Sequence, residues 1–309
     1  MKSLDLGKFK GVIVAIQSCY DDKGEVQPEA VQRMVRFLID KGVNGVYVCG
    51  STGEGLLQSV EERKRVLEAV IAESKGEVAV IAHIGAMNTR DSIELAIHAE
   101  HVGADAISAV PPFYYRHSEN AVHKHWMDII SSTELPFIMY HIPATTGFNL
   151  TLDLLRRMIV NPKVIGVKVS VGSTYELERF KRVGGNDFLI FNGPDEQYLA
   201  GRIMGADGGI GGTYGCMPEL FVRLEQYYVS GMITEAQHLQ TLINDIISDL
   251  LSLPTHSALK EIMRLRGIDC GTVRAPLEEI HESQAPPVRQ IHEKIMQTIR
   301  ELVPIPNGM

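Results

Sequence analysis

The chain has no run of about 18 consecutive apolar residues, the length a membrane-crossing helix needs. Its start, Met1-Lys-Ser-Leu-Asp-Leu-Gly, carries a positive charge with no apolar stretch behind it. A soluble, cytoplasmic protein with no membrane partner is expected. Extended clusters of Lys and Arg are missing as well. Thirty basic residues against 38 acidic ones leave a formal charge of −8, and scattered cations make no electrostatic footprint for nucleic acid. Cysteine is scarce: Cys19, Cys49, Cys216 and Cys270 stand far apart with no Cys-x-x-Cys pair. That spacing argues against a zinc site and a disulfide framework, and the four are expected as free buried thiols. What remains, 45% hydrophobic and 22% charged residues over 309 positions, suffices for a substantial core and points to small-molecule partners.

From residue 11 onward a short apolar run followed by helical periodicity recurs eight times, the pattern of successive βα units. The runs are 11–18, 46–51, 78–85, 106–112, 136–143, 164–171, 188–194 and 208–214. Helical patterns follow them at 28–41, 60–74, 89–101, 119–131, 152–159, 175–183, 196–204 and 218–229. Stretches such as Val78-Ala-Val-Ile-Ala and Val164-Ile-Gly-Val read as strands buried on both faces. Gly-Ala-Asp occurs at 103–105 and again at 205–207, where glycine suits a helix C-cap. Eight alternations predict an α/β fold of the closed (β/α)8 TIM-barrel type rather than an open sheet. The barrel domain is expected over residues 1–231. After it the strand pattern stops, and 234–251, 257–266 and 287–302 predict three amphipathic helices in a C-terminal helical extension over 232–309, with Pro254, Pro276, Pro286 and Pro287 at their connections.

Barrel active sites lie at the C-terminal ends of the strands, with side chains alternating between the interior and the helix layer. That makes Lys168 conspicuous in Val164-Ile-Gly-Val-Lys-Val-Ser170, where it shares parity with Val164, Gly166 and Ser170. An ammonium inside a strand is costly to desolvate, which favours the free amine a nucleophile needs; the alternative is an exposed lysine at a frayed strand end. Tyr140 near the end of the fifth run can relay protons, or can be a core tyrosine with a satisfied hydroxyl. Parity turns His141 toward the helices and a structural role. Gly50-Ser-Thr-Gly-Glu-Gly55 offers Ser51, Thr52 and backbone N–H groups to a carboxylate, or is an ordinary turn into a helix. Asp195 and Glu196, after Asn192-Gly-Pro, suit sugar hydroxyls or a helix N-terminus equally. The Gly-rich exit of the eighth run fits the phosphate site of a flavin or phosphosugar barrel, or a ligand-binding barrel without catalysis. His123 and His125 do not share a helix face, so no metal site is expected there.

Five segments in this order, Gly50-Ser-Thr-Gly-Glu54, Pro112-Phe-Tyr-Tyr115, Tyr140-His-Ile-Pro143, Gly166-Val-Lys168 and Gly205-Ala-Asp-Gly-Gly-Ile210, resemble the dihydrodipicolinate synthase and N-acetylneuraminate lyase family over essentially the whole chain. The resemblance implies Lys168 as the Schiff-base lysine, Tyr140 as the proton-relaying phenol and Ser51 with Thr52 at the carboxylate of a 2-oxo acid. It implies a homotetramer in which Tyr114 reaches a neighbouring subunit's site, and neither metal nor organic cofactor. The lyase branch is the closer likeness, with Ser170, Gly193, Asp195, Glu196, Ile210, Gly211 and Gly212 around an aldehyde or aldose partner. Three positions depart from pattern. Thr145 replaces the arginine of the synthase branch, Gly212 replaces a serine of sialic-acid lyases, and His141 replaces an asparagine. A dihydrodipicolinate-type synthase and a 2-keto-3-deoxy sugar-acid aldolase are the alternative activities.

Overall fold

Eight short strands, every residue buried, alternate with helices: β1 (Gly11–Ala15), β2 (Gly45–Val48), β3 (Ala79–His83), β4 (Ala106–Ala109), β5 (Phe137–His141), β6 (Val164–Val169), β7 (Leu189–Asn192) and β8 (Gly208–Gly211). The structure is a computed structural model that describes residues 5–302. Each strand pairs in parallel with the next, and β8 pairs with β1, so the sheet closes into a barrel. The barrel helices are α1 (Pro28–Asp40), α2 (Val60–Ser74), α3 (Thr89–Val102), α4 (Glu119–Ile130), the single turn α5 (Pro143–Thr146), α6 (Leu152–Met158), α7 (Thr174–Gly184), α8 (Tyr198–Ile203) and α9 (Pro218–Val229). α10 (Ile233–Leu251), α11 (Thr255–Leu265) and α12 (Ala285–Arg300) follow.

Local chemistry sets these boundaries. Ser59 and Glu62 form a reciprocal capping box at the start of α2. Gly103 ends α3 with φ of 92°, a left-handed cap that residues with a Cβ adopt at a cost. The repeated Gly-Ala-Asp does a second job at both places. Asp105 accepts from the Val80 N–H at 2.8 Å and Asp207 from the Ile190 N–H at 3.0 Å, so each aspartate latches its turn to the strand before it. The pattern expected at 196–204 is interrupted: Asp195–Gln197 is a 3-10 turn and the α-helix begins at Tyr198. Pro286 and Pro287 lie in the first turn of α12 rather than in a connection; prolines are tolerated there because the first N–H groups have no helical partner.

Ile13, Tyr47, Ile81, Ile138, Leu189, Phe191 and Ile210 fill the barrel interior. The outer core, between sheet and helices, runs on without a break into Leu239, Ile243, Ile262 and Ile295 of the last three helices. One parity expectation fails. The β5–β6 register shifts between Phe137 and Ile138, so Ile165 joins the interior and Val164 packs outward. An extra residue at a bulge inverts the alternation on one side of it. Beyond the shift Val167 and Val169 face the helices, as expected, which leaves Lys168 inside.

Candidate active site

Lys168 sits in register with Tyr140 on one side and Phe191 on the other, and only 6% of it is exposed. Its Nζ lies 4.3 Å from the centre of the Tyr140 ring and 4.8 Å from that of Tyr47. The two rings meet edge-on, with centroids 6.0 Å apart. The amine thus occupies an aromatic corner at the C-terminal half of the barrel, with restricted freedom and little water. The frayed strand end is excluded. Burial by itself pushes the Tyr140 phenol up, but the Lys168 charge and hydrogen bonds with Ser51, Ser170 and Lys168 outweigh it, so the phenol lies below its ordinary value.

The corner rests on a neutral polar layer. The Tyr47 hydroxyl donates to Ser108 Oγ at 2.9 Å. His83 packs edge-on to Tyr140 and tilted to Tyr47, both at 5.9 Å between ring centres. Its Nδ1 is 3.1 Å from the Cys49 carbonyl and its Nε2 faces the Val110 N–H at 3.4 Å. A proton on Nδ1 satisfies both contacts. Burial, reinforced by the charges of Arg63 and Lys168, pushes the imidazole down to about 3, so it stays uncharged. Tyr47, His83 and Ser108 escaped the sequence reading. Tyr47 shares interior parity with Gly45, a signal present in the sequence, whereas nothing local marks His83 or Ser108.

Two loops meet above this corner. The turn after β2 holds Cys49 and Glu54 in the left-handed region, at φ of 58° and 55°, and each such residue costs roughly 1 kcal/mol or more. Thr52 lies against Gly212, after β8: a Cβ at 212 would stand 2.5 Å from Thr52 Oγ1. The two loops approach this closely because 212 lacks a side chain, and a serine there requires Thr52 to move. Ser170 Oγ fills the space that a Cβ on Gly193 would take, and the Gly193 N–H donates to the Val169 carbonyl at 2.8 Å.

Asp195 is buried. Its Oδ2 accepts from the Thr213 N–H at 2.8 Å and from Thr213 Oγ1 at 2.6 Å, and its Oδ1 lies against Gly211. Burial raises this carboxyl to about 6 even against the Thr213 hydrogen bonds. It braces the β8 exit, while Glu196 is exposed. Ile210 points its side chain into the barrel core. Tyr114 is not brought to this cluster within one chain: it is 81% exposed, has φ of 77°, and packs edge-on against Tyr115. His141 faces the helices, as parity predicts, with Nε2 2.9 Å from a Glu176 carboxylate oxygen and its ring against Phe180. The four cysteines are buried and free. Among the described residues no group of three or more His, Cys, Asp or Glu is placed to hold a metal ion, and no helix is long and apolar enough to cross a membrane.

The dihydrodipicolinate synthetase family profile matches residues 8–295. The N-acetylneuraminate lyase of Mediterraneibacter gnavus is 43% identical over 295 residues, 94% of each chain. That of Citrobacter koseri is 37% identical over 94% of this chain and 98% of its own. A catalytic-lysine mutant of Ruminococcus gnavus sialic acid aldolase superposes with a TM-score of 0.95 at 41% identity, over 97% of this chain and 99% of that one. The barrel, the buried lysine and the near-complete match to these relatives agree: the chain belongs to the dihydrodipicolinate synthetase family, on its N-acetylneuraminate lyase branch.

Proposed function

We propose that the chain is a pyruvate-dependent carbon–carbon lyase that cleaves N-acetylneuraminate, or a closely related sugar acid, reversibly into pyruvate and an aldose. The observation that carries this reading is the Lys168 amine buried 4.3 Å from the Tyr140 ring centre. The amine adds to the C2 carbonyl of the 2-oxo acid, and the carbinolamine loses water to give a protonated imine. That cation withdraws electrons from C3, so the C3–C4 bond breaks as the C4 hydroxyl loses its proton to the Tyr140 phenolate. The aldose leaves, the enamine takes a proton at C3, and water releases pyruvate and the free amine.

Ser51 and Thr52 hold the carboxylate, supported by their turn's place beside Tyr140. Ser170, Gly193, Glu196 and Gly212 line the path of the sugar tail, with the buried Ile210, Gly211 and Asp195 supporting the β8 exit behind them. The lyase reading is favoured over the synthase by Thr145, which is exposed and donates to the Ile142 carbonyl, in place of a cation for a second carboxylate. The exposed Tyr114 and Tyr115 support a homotetramer in which Tyr114 completes a neighbour's site, and buried free thiols suit the reducing cytoplasm.

Borohydride reduction in the presence of pyruvate tests the chemistry. One pyruvate-derived mass on Lys168 is expected, and a label on another lysine, or none, refutes it. A sugar-acid panel scored by pyruvate release tests the substrate: faster condensation of pyruvate with aspartate semialdehyde than cleavage of any sugar acid would assign the synthase instead.

A further inference from the structure

The turn that carries Ser51 and Thr52 is held from outside the barrel. α11 presents His256 and Lys260 one helical turn apart, hence on one face. His256 Nε2 lies 3.2 Å from the Ser51 carbonyl, and Lys260 Nζ lies 2.8 Å from Glu54 Oε1, as an ion pair rather than an aligned hydrogen bond. The Lys260 and Glu54 side chains are 3% and 0% exposed. Lys260 Nζ also donates to the Thr272 carbonyl at 2.7 Å and sits 4.3 Å from the centre of the Tyr20 ring. The second Glu54 oxygen accepts from the Arg274 N–H at 2.8 Å, while the Arg274 side chain pairs with Glu62 and donates to the Leu57 carbonyl.

A buried ion pair is a poor device for stability alone, since apolar replacement of such pairs is often neutral or stabilising. It is a good device for fixing position, and here it grips a turn whose Glu54 has left-handed backbone angles. We propose that Lys260 is a positioning residue for the 2-oxo-acid carboxylate: through Glu54 it sets the place of Ser51 and Thr52 relative to Lys168. The proposal rests on the reading that Ser51 and Thr52 bind that carboxylate.

The full-length Lys260→Met variant leaves the Glu54 charge buried without its counter-ion and is expected to lose thermal stability. Combining it with Glu54→Gln removes both charges and restores most of the Tm. In this double variant the pyruvate concentration for half-maximal borohydride trapping on Lys168 should rise about tenfold or more, as for a misplaced binding group. Trapping at saturating pyruvate stays within about threefold of the parent, because the amine itself is undisturbed. The inhibition constant of N-acetylmannosamine, used as the aldose probe, does not change. Wild-type half-saturation in the double variant overturns the proposal. So does a parallel rise in the aldose constant, which marks general loosening. If the double variant folds poorly, Lys260→Arg decides: raised half-saturation at near-wild-type Tm supports positioning, and unchanged half-saturation overturns it. Failure of the unmodified enzyme to be trapped by pyruvate would refute the Schiff-base reading instead.

Discussion

Lys168 and Tyr140 influence one another through distance and sign. A positive charge 4.3 Å from a phenol ring and two serine hydroxyls favour phenolate, against burial, which opposes it. A phenol below its ordinary value can exchange protons nearer neutrality, which is what a relay between carbinolamine, C4 hydroxyl and solvent requires. Tyr140→Phe keeps the ring that packs against Tyr47 and His83 but removes the proton carrier. Its kcat is expected to fall by about two to four orders of magnitude, the range of general acid–base catalysis, with the Tm almost unchanged. Activity within about threefold of the parent would assign the relay to a water or another side chain. Lys168 was legible from its strand parity, and Tyr140 from its strand-end position. Tyr47 carried a parity signal, but its contact with Tyr140 required the closed barrel to bring β2 and β5 together.

At the level of elements, the loops after β7 and β8 form one unit through Asp195 and Thr213. The Asp195 carboxyl is raised to about 6 by burial, so the native state holds this proton more tightly than the unfolded chain does. Its contribution to stability is therefore complete below the unfolded value near 4 and lost as pH rises through 6, on the order of 3 kcal/mol. Asp195→Asn should flatten the pH dependence of urea unfolding between about pH 4 and 6 and raise stability at pH 7.5. It should also lower kcat/KM for the sugar acid about tenfold by weakening the brace on Thr213, while pyruvate trapping at Lys168 persists. An unchanged pH slope in the variant would place the titrating group elsewhere. The sequence identified Asp195 as a polar group at a strand end; its hydrogen bonds, and hence its bracing role, follow from the approach of β8 at Gly211.

For the molecule as a whole, the proposed homotetramer, with Tyr114 shared between chains, makes a complementation prediction. Lys168→Ala and Tyr114→Ala chains should each be impaired alone. Co-assembled in equal amounts they should regain activity in about a quarter of sites, those pairing an intact Lys168 with a neighbour's intact Tyr114. Light scattering should report four chains per particle; a monomer, or no recovery on mixing, would remove Tyr114 from the site. The sequence by itself determined the eightfold βα order, the three closing helices and the position of Lys168 near a strand end, because apolar periodicity and capping residues act over a few neighbours. It also displayed the five motifs by which the family resemblance could be seen. Tertiary structure alone decided the Ile165 inversion, the neutral His83 beneath the lysine, the contact of Thr52 with Gly212, and the grip of Lys260 on Glu54. Each of these depends on segments far apart in sequence arriving at one place, and no local pattern encodes the distance between them.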